Sequence, residues 1–130
     1  MTTEKFTVEI IAPTGLVLKS NVNEVVIPSY EGEMGILKNH IAIITFLRPG
    51  LIKIKENSEN SYFVENGTVE FSNNNLLILT STVKDLENFD RGKVENLIQE
   101  SLNKINDKNS TDKEKYVISH KIETLKEISR

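Results

Sequence analysis

The sequence predicts an α+β chain, with an all-β sandwich or barrel over residues 1–84 and an antiparallel helical hairpin over residues 85–130. Three observations predict it. Residues 5–83 read as strands, the first with apolar residues at period two. Turn-forming residues break these runs at short, regular spacing. After Asp85 the apolar period becomes that of a helix.

Taken in order, Phe6, Val8 and Ile10 alternate with Thr7 and Glu9 as a first strand, and Pro13-Thr14-Gly15 reads as a turn. Residues 16–19 make a short second strand. Val25-Val26-Ile27 is β-branched and ends at Pro28, which lacks a backbone donor and suits a strand end. Residues 41–46 form another apolar strand, closed by Leu47-Arg48-Pro49-Gly50. Pro at the first central position followed by Gly is the chemistry of a type II turn. Residues 51–55 and 62–65 flank a polar hairpin loop, Asn57-Ser58-Glu59-Asn60. Residues 68–71 and 76–82 flank Asn73-Asn74-Asn75 in the same way.

In the second half, Val94, Leu97, Ile98, Ser101, Leu102 and Ile105 share one helical face. Asn88 or Asp90 is placed to cap its start, and Gly92 weakens its first turn. The polar run Asn106-Asp107-Lys108-Asn109-Ser110 ends it. Thr111-Asp112-Lys113-Glu114 has the spacing of a capping box, and Ile118, Ile122, Leu125 and Ile128 form the next stripe. The short connection makes the two helices antiparallel neighbours. Each stripe is narrow, so the hairpin is held by a few kcal/mol, and two docking positions of similar free energy are accessible to it.

Composition excludes several classes. A hydrophobic fraction of 38% is below the globular average, which fits a modest core plus a part that buries little. Residues 1–84 carry seven basic and nine acidic side chains, and residues 85–130 carry nine and ten, so neither half is a basic nucleic-acid arm. With no cysteine there is no disulfide, thiolate nucleophile or Cys-based metal site. No signal or transit peptide precedes the first strand, and the longest apolar run is too short to span a bilayer, which reads as a soluble intracellular chain.

The densest set of special residues is the stretch 26–40. It reads as a strand entering a tight loop that carries Glu31, Glu33 and His40. No nucleophile elbow, phosphate loop, dinucleotide fingerprint or metal-ligand cluster accompanies it, so no cofactor or metal is expected. Two carboxylates and an imidazole are capable of acid–base work, but no partner nucleophile or oxyanion donor is in view. A solvated turn and a polar contact patch remain equally open from the residues alone. His120 reads as a solvated helix residue.

These residues resemble those of the epsilon subunits of F-type ATP synthases. The likeness is carried by Val26-Ile27-Pro28, Glu31-Gly32-Glu33-x-Gly35-Ile36-Leu37, His40, Leu47-x-Pro49-Gly50, Asn66-Gly67-x-Val69-Glu70-Phe71 and the strand from Leu76 to Val83, in order along nearly the whole chain. The resemblance implies a ten-stranded β-sandwich with a helical hairpin behind it. It implies a non-catalytic rotor subunit of the central stalk, bound to the gamma subunit, standing on the ring of c subunits and coupling ring rotation to ATP synthesis. The hairpin would brake ATP hydrolysis by reaching the alpha/beta catalytic core when extended. Membrane association would then be through the complex only, as a peripheral protein on the cytoplasmic face of the bacterial plasma (inner) membrane.

By the same resemblance, Glu31, Glu33 and His40 face the c ring. The chain departs from the family pattern at Lys38-Asn39, where Pro-Gly is frequent before the His. It departs again on the hairpin, in Phe89-Asp90-Arg91-Gly92-Lys93-Val94. There a nucleotide-sensing pattern keeps Asp90 but carries Lys93 in place of Arg, without the planar fork that clamps phosphate. Asp90 and Lys93 are thus a degenerate candidate motif. From Thr111 onward five basic and four acidic side chains give only a weak basic bias, which fits a weak brake. The alternatives are a free-standing β-sandwich module for a ligand or peptide, and a small hydrolase using the acid pair with His40. A chain with no Trp offers little for an aromatic-lined site.

Overall fold

The computed structural model describes residues 4–129; Met1 to Thr3 and Arg130, counted in the two halves above, lie outside them. The chain divides between Glu87 and Asn88 into two compact units.

The first unit is a curled sheet of ten strands: β1 (Phe6–Ala12), β2 (Gly15–Val22), β3 (Glu24–Ser29), β4 (Gly32–Leu37), β5 (Ile43–Leu47), β6 (Gly50–Lys55), β7 (Glu59–Val64), β8 (Gly67–Ser72), β9 (Asn75–Leu79) and β10 (Val83–Asp85). One layer runs β4-β3-β6-β7-β10 and the other β5-β8-β9-β1-β2. Period-two alternation places one face of each layer inside. Val25, Ile27, Ile36, Ile52 and Val64 meet Val8, Ile10, Val69, Phe71, Leu76 and Ile78 in a core where all are essentially inaccessible to solvent.

The pairing shows how the chain passes between layers. Strands β5 and β6 are both antiparallel to β3, so the backbone does not reverse at 47–50. The type II turn expected at Pro49-Gly50 is therefore absent. Gly50 has no positive φ and is required for another reason: a Cβ there would lie 2.5 Å from the Cβ of Pro28. The register Leu47↔Gly67 continues without slip into Gly50↔Val64, and Leu79↔Thr68 continues into Val83↔Val64. Strand pairs β5/β6, β7/β8 and β9/β10 are thus three long strands, each bent once as it crosses from one layer to the other. The single strand expected over 76–82 is divided at this bend.

Asn66 ties two of the bends together. Its carbonyl oxygen accepts from Thr80 Oγ1 at 2.6 Å, and its side-chain Oδ1 accepts from Ser81 Oγ at 2.6 Å. Elsewhere the turns differ modestly from expectation. The β6–β7 loop is shorter than 57–60, because β7 already begins at Glu59. The β8–β9 turn places Asn73 and Asn74 at φ 50° and 59°, the left-handed pair of a type I′ hairpin.

Tyr62, on β7, pairs with Asp85. Burial foremost, then the nearby charges of Asp85 and Glu87, raise its phenol above the usual 10.0. The neutral form is therefore favoured in the fold. Its contribution is whole below pH 10.0 and is lost as pH climbs through the raised folded value. Tyr62→Phe is expected to flatten the alkaline limb of stability in denaturant melts above that pH while leaving neutral-pH stability close to the parent.

The second unit contains 3-10 turns Leu86–Asn88 (straddling the division) and Arg91–Lys93, then α1 (Val94–Ile105) and α2 (Asp112–Ser129). Gly92 lies in the 3-10 turn, not in the first turn of α1. Val94, Ile98 and Ser101 of α1 and Ile122, Thr124, Leu125 and Ile128 of α2 are buried. Ser101 and Thr124 satisfy their hydroxyls on their own helices, at Leu97 O (2.8 Å) and His120 O (2.7 Å). Glu114 N–H donates to Thr111 Oγ1 at 3.1 Å and the Thr111 N–H donates to Glu114 Oε1 at 3.5 Å, as the capping-box spacing predicts, and the Thr111 hydroxyl donates to the same oxygen at 3.1 Å. Thr111→Ala is expected to cost about 1 kcal/mol, read as faster amide exchange over the first turn of α2.

Candidate functional site

The stretch 26–40 is a hairpin, not a loop. β3 and β4 pair along their full length, from Glu24↔Leu37 to Ser29↔Gly32. The turn is held by buried Ser29, whose hydroxyl donates to Gly32 O at 2.7 Å and accepts from Glu31 N–H at 3.3 Å. Gly32 completes it at φ +122°.

The three residues singled out in the sequence are not brought together. Glu31 sits exposed in the turn. Glu33 is on β4 opposite Pro28, and its carboxylate lies 3.8 Å from Lys53 Nζ. His40 follows the far end of β4, roughly 13 Å from Glu33 and roughly 20 Å from Glu31 by strand rise. There its Nδ1–H donates to Ile41 O at 2.8 Å, and its ring meets Phe71 edge-on at 5.9 Å. An acid pair with a shared imidazole does not form. A cavity of about 170 Å³ opens elsewhere in the unit, lined by Leu18, Ser20, Val22, Ile54 and Tyr62, and none of the three residues lines it.

The departure at Lys38-Asn39 has a physical reading. Asn39 stands where the family pattern has Gly, and it takes φ 67°, in the left-handed region that Asn tolerates. Its side chain is used as well. Asn39 N–H donates to Asn74 Oδ1 at 2.7 Å, and Asn74 Nδ2 donates back to Asn39 Oδ1 at 3.2 Å. The chain just before His40 is therefore pinned to the β8–β9 turn.

On the hairpin, Asp90 Oδ1 accepts from Gly92 N–H at 2.9 Å and so serves as a cap. Arg91, not Lys93, makes the long-range contact: its guanidinium donates to the carbonyl of Ile128, at the C-terminal end of α2 where cations are favoured. Lys93 is exposed. His120 is not simply solvated. It is half-buried, packs edge-on against Tyr116 with ring centres 4.5 Å apart, and lies 3.8 Å from Glu123. No group of His, Asp and Glu among the described residues is disposed to hold a metal ion.

Sequence reasoning missed the outward face of β5, β8, β9, β1 and β2. Register aligns two cross-strand rows on it. One is Phe46, Thr68, Leu79, Ile11 and Leu16; the other is Ile44, Glu70, Leu77, Glu9 and Lys19. Ile44 is 78% exposed, Phe46 60%, Leu16 59% and Leu79 44%. Scattered exposed apolar residues are ordinary, but four large ones on one continuous face mark a surface built for a partner. The signal was present in the sequence: Ile43-Ile44-Thr45-Phe46 is apolar at both parities, where a strand with one solvated face would alternate.

Known proteins share this architecture. Residues 5–85 match the family model described as ATP synthase, Delta/Epsilon chain, beta-sandwich domain. The chain is 44% identical to the ATP synthase epsilon chain of Pelagibacter ubique, covering 97% of this chain and 98% of that one. It is 33% identical to the ATP synthase epsilon chain of Hydrogenobaculum over 77% of this chain and 74% of the other. Among solved structures, its fold is similar to a chain of the Euglena gracilis mitochondrial ATP synthase OSCP/F1/c-ring, at TM-score 0.82 and 20% identity, covering 97% of this chain and 82% of that one. It also resembles a chain of the Tetrahymena thermophila central stalk and c-ring, at TM-score 0.65 and 18% identity, over the whole of both chains.

Proposed function

Because the chain belongs to the ATP synthase epsilon chain family, whose members are non-catalytic subunits of a membrane-associated complex, we propose that it docks on the gamma subunit through the outward face of β5, β8 and β9. In that position it turns with the rotor and couples rotation of the c ring to ATP synthesis. The observation that carries this reading is the exposed pair Ile44 and Phe46 continued by Leu79 and Leu16. Burying a large apolar side chain contributes about 1.5–3 kcal/mol, so a few such residues suffice for a stable joint.

The acid end of the β3–β4 hairpin, Glu31 and Glu33, meets the basic, polar loops of the c ring in this proposal. Exposed charge pairs are individually weak, so they set register more than affinity. His40 lies outside that contact and braces the β4–β5 connection against Phe71. The hairpin acts as a weak brake. Its buried stripe is short, with two polar residues in it, and its hold is small enough for a second position along gamma toward the alpha/beta core. Asp90 caps the turn that opens it, and Lys93 lacks the planar fork that would clamp a nucleotide phosphate. No helix among the described residues is long and apolar enough to cross a membrane; the proposed attachment is through the complex, on the cytoplasmic face.

The immobilised full chain, mixed with detergent-solubilised membranes, should retain gamma together with the catalytic core. Retention of neither, under conditions where the chain remains folded, would sink the proposal.

A further inference from the structure

We propose that Asn66-Gly67 is a deamidation site held shut by the folded joint, and that Ser81 is the residue that holds it. Structure leaves no choice of the residue after Asn66. A Cβ at position 67 would lie 2.5 Å from the carbonyl oxygen of Leu79 and 3.0 Å from Leu47 Cδ1, and φ is +152°. Only Gly fits, so the backbone nitrogen beside the Asn66 amide is always unshielded by a side chain. That nitrogen is the nucleophile of deamidation. It bonds to Asn66 Cγ, the Cγ–Nδ2 bond breaks, and the amide leaves as ammonia with the backbone proton. Water then opens the cyclic imide at either carbonyl, giving Asp or isoaspartate.

Asn66 is exposed, so access of water does not protect it. Orientation does. Oδ1 accepts from Ser81 Oγ at 2.6 Å and from Ser81 N–H at 3.4 Å, which fixes the side chain toward the β9–β10 bend. Attack requires the amide to leave that position. The two products differ in consequence. Asp retains both acceptor contacts to Ser81. Isoaspartate adds a backbone atom between β7 and β8, where the register runs unbroken from Val64↔Gly50 to Gly67↔Leu47, and puts the two layers out of phase.

The test follows peptide mass and isoaspartate content at residue 66 of the full chain in mildly alkaline buffer. The folded chain should convert several-fold more slowly than the same chain in denaturant. Ser81→Ala should convert faster than the parent under folding conditions, while Ser81→Thr, which keeps the hydroxyl, should match the parent. Equal rates in folded and denatured chain would overturn the proposal. So would Ser81→Ala that is no faster, or slower, which would mean that the hydrogen bonds activate Cγ rather than restrain it. If Ser81→Ala proves unfolded, the Ser81→Thr and denaturant comparisons still decide.

Discussion

Replacing Gly67 with Ala is expected to destabilise the β unit by about 3 kcal/mol or more. Two costs add. A side chain at φ +152° is strained, and its Cβ meets a backbone oxygen, which no rotamer change relieves. For a unit of this size a loss of that order lowers Tm by on the order of 10–20 °C in a circular-dichroism melt. Gly32→Ala separates the two costs. Gly32 has φ +122°, and a Cβ added there would meet nothing within 4 Å, so only the conformational cost applies. If both substitutions shift Tm equally, the close approach of Leu79 to the β7–β8 bend has no energetic weight.

Ile44→Lys combined with Phe46→Lys is expected to weaken binding to gamma by about two orders of magnitude or more. Each change withdraws about 1.5–3 kcal/mol of apolar burial and adds a charge that the joint must desolvate. The fold should be nearly indifferent. Both positions are mostly exposed, and the Ile44→Lys ammonium would stand opposite Glu70 as a cross-strand ion pair. The comparison is an affinity titration beside a thermal melt. Loss of binding with an unchanged melt assigns the effect to the surface; loss of both would not.

Much of the fold was legible because local physics and tertiary structure agree. Alternation in Phe6 to Ile10 is a strand with one buried face, and Thr111-x-x-Glu114 is the capping box its spacing names. Pro49-Gly50 was misread because its turn chemistry is local, whereas Gly50 is dictated by Pro28, a residue 22 positions earlier. The same holds for Gly67, Asn66 and Ser81: their partners are set by how three strands bend together, which no window of sequence contains. Glu31, Glu33 and His40 looked like one constellation because they lie within ten residues. A strand carries its ends apart, and β4 does so here. The apolar face was visible as doubled parity in residues 43–46, but only register across five strands joins it to Leu79 and Leu16. At Asn39 the backbone takes a left-handed φ that Asn tolerates, and no local pattern in the sequence announced its pairing with Asn74.

The absence of native cysteine makes the docking claim directly measurable by single-cysteine crosslinking in the assembled complex. A photoactivatable label on Ile44→Cys or Phe46→Cys should yield adducts with gamma, and on Glu31→Cys adducts with the c subunit. A label on Asn57→Cys, in the exposed β6–β7 turn, serves as the reference for unspecific reaction. Gamma adducts from the β5 positions well above that reference are the predicted result. Labelling of gamma no stronger from Ile44 and Phe46 than from Asn57, in complexes that retain the chain, would contradict the assignment of this face.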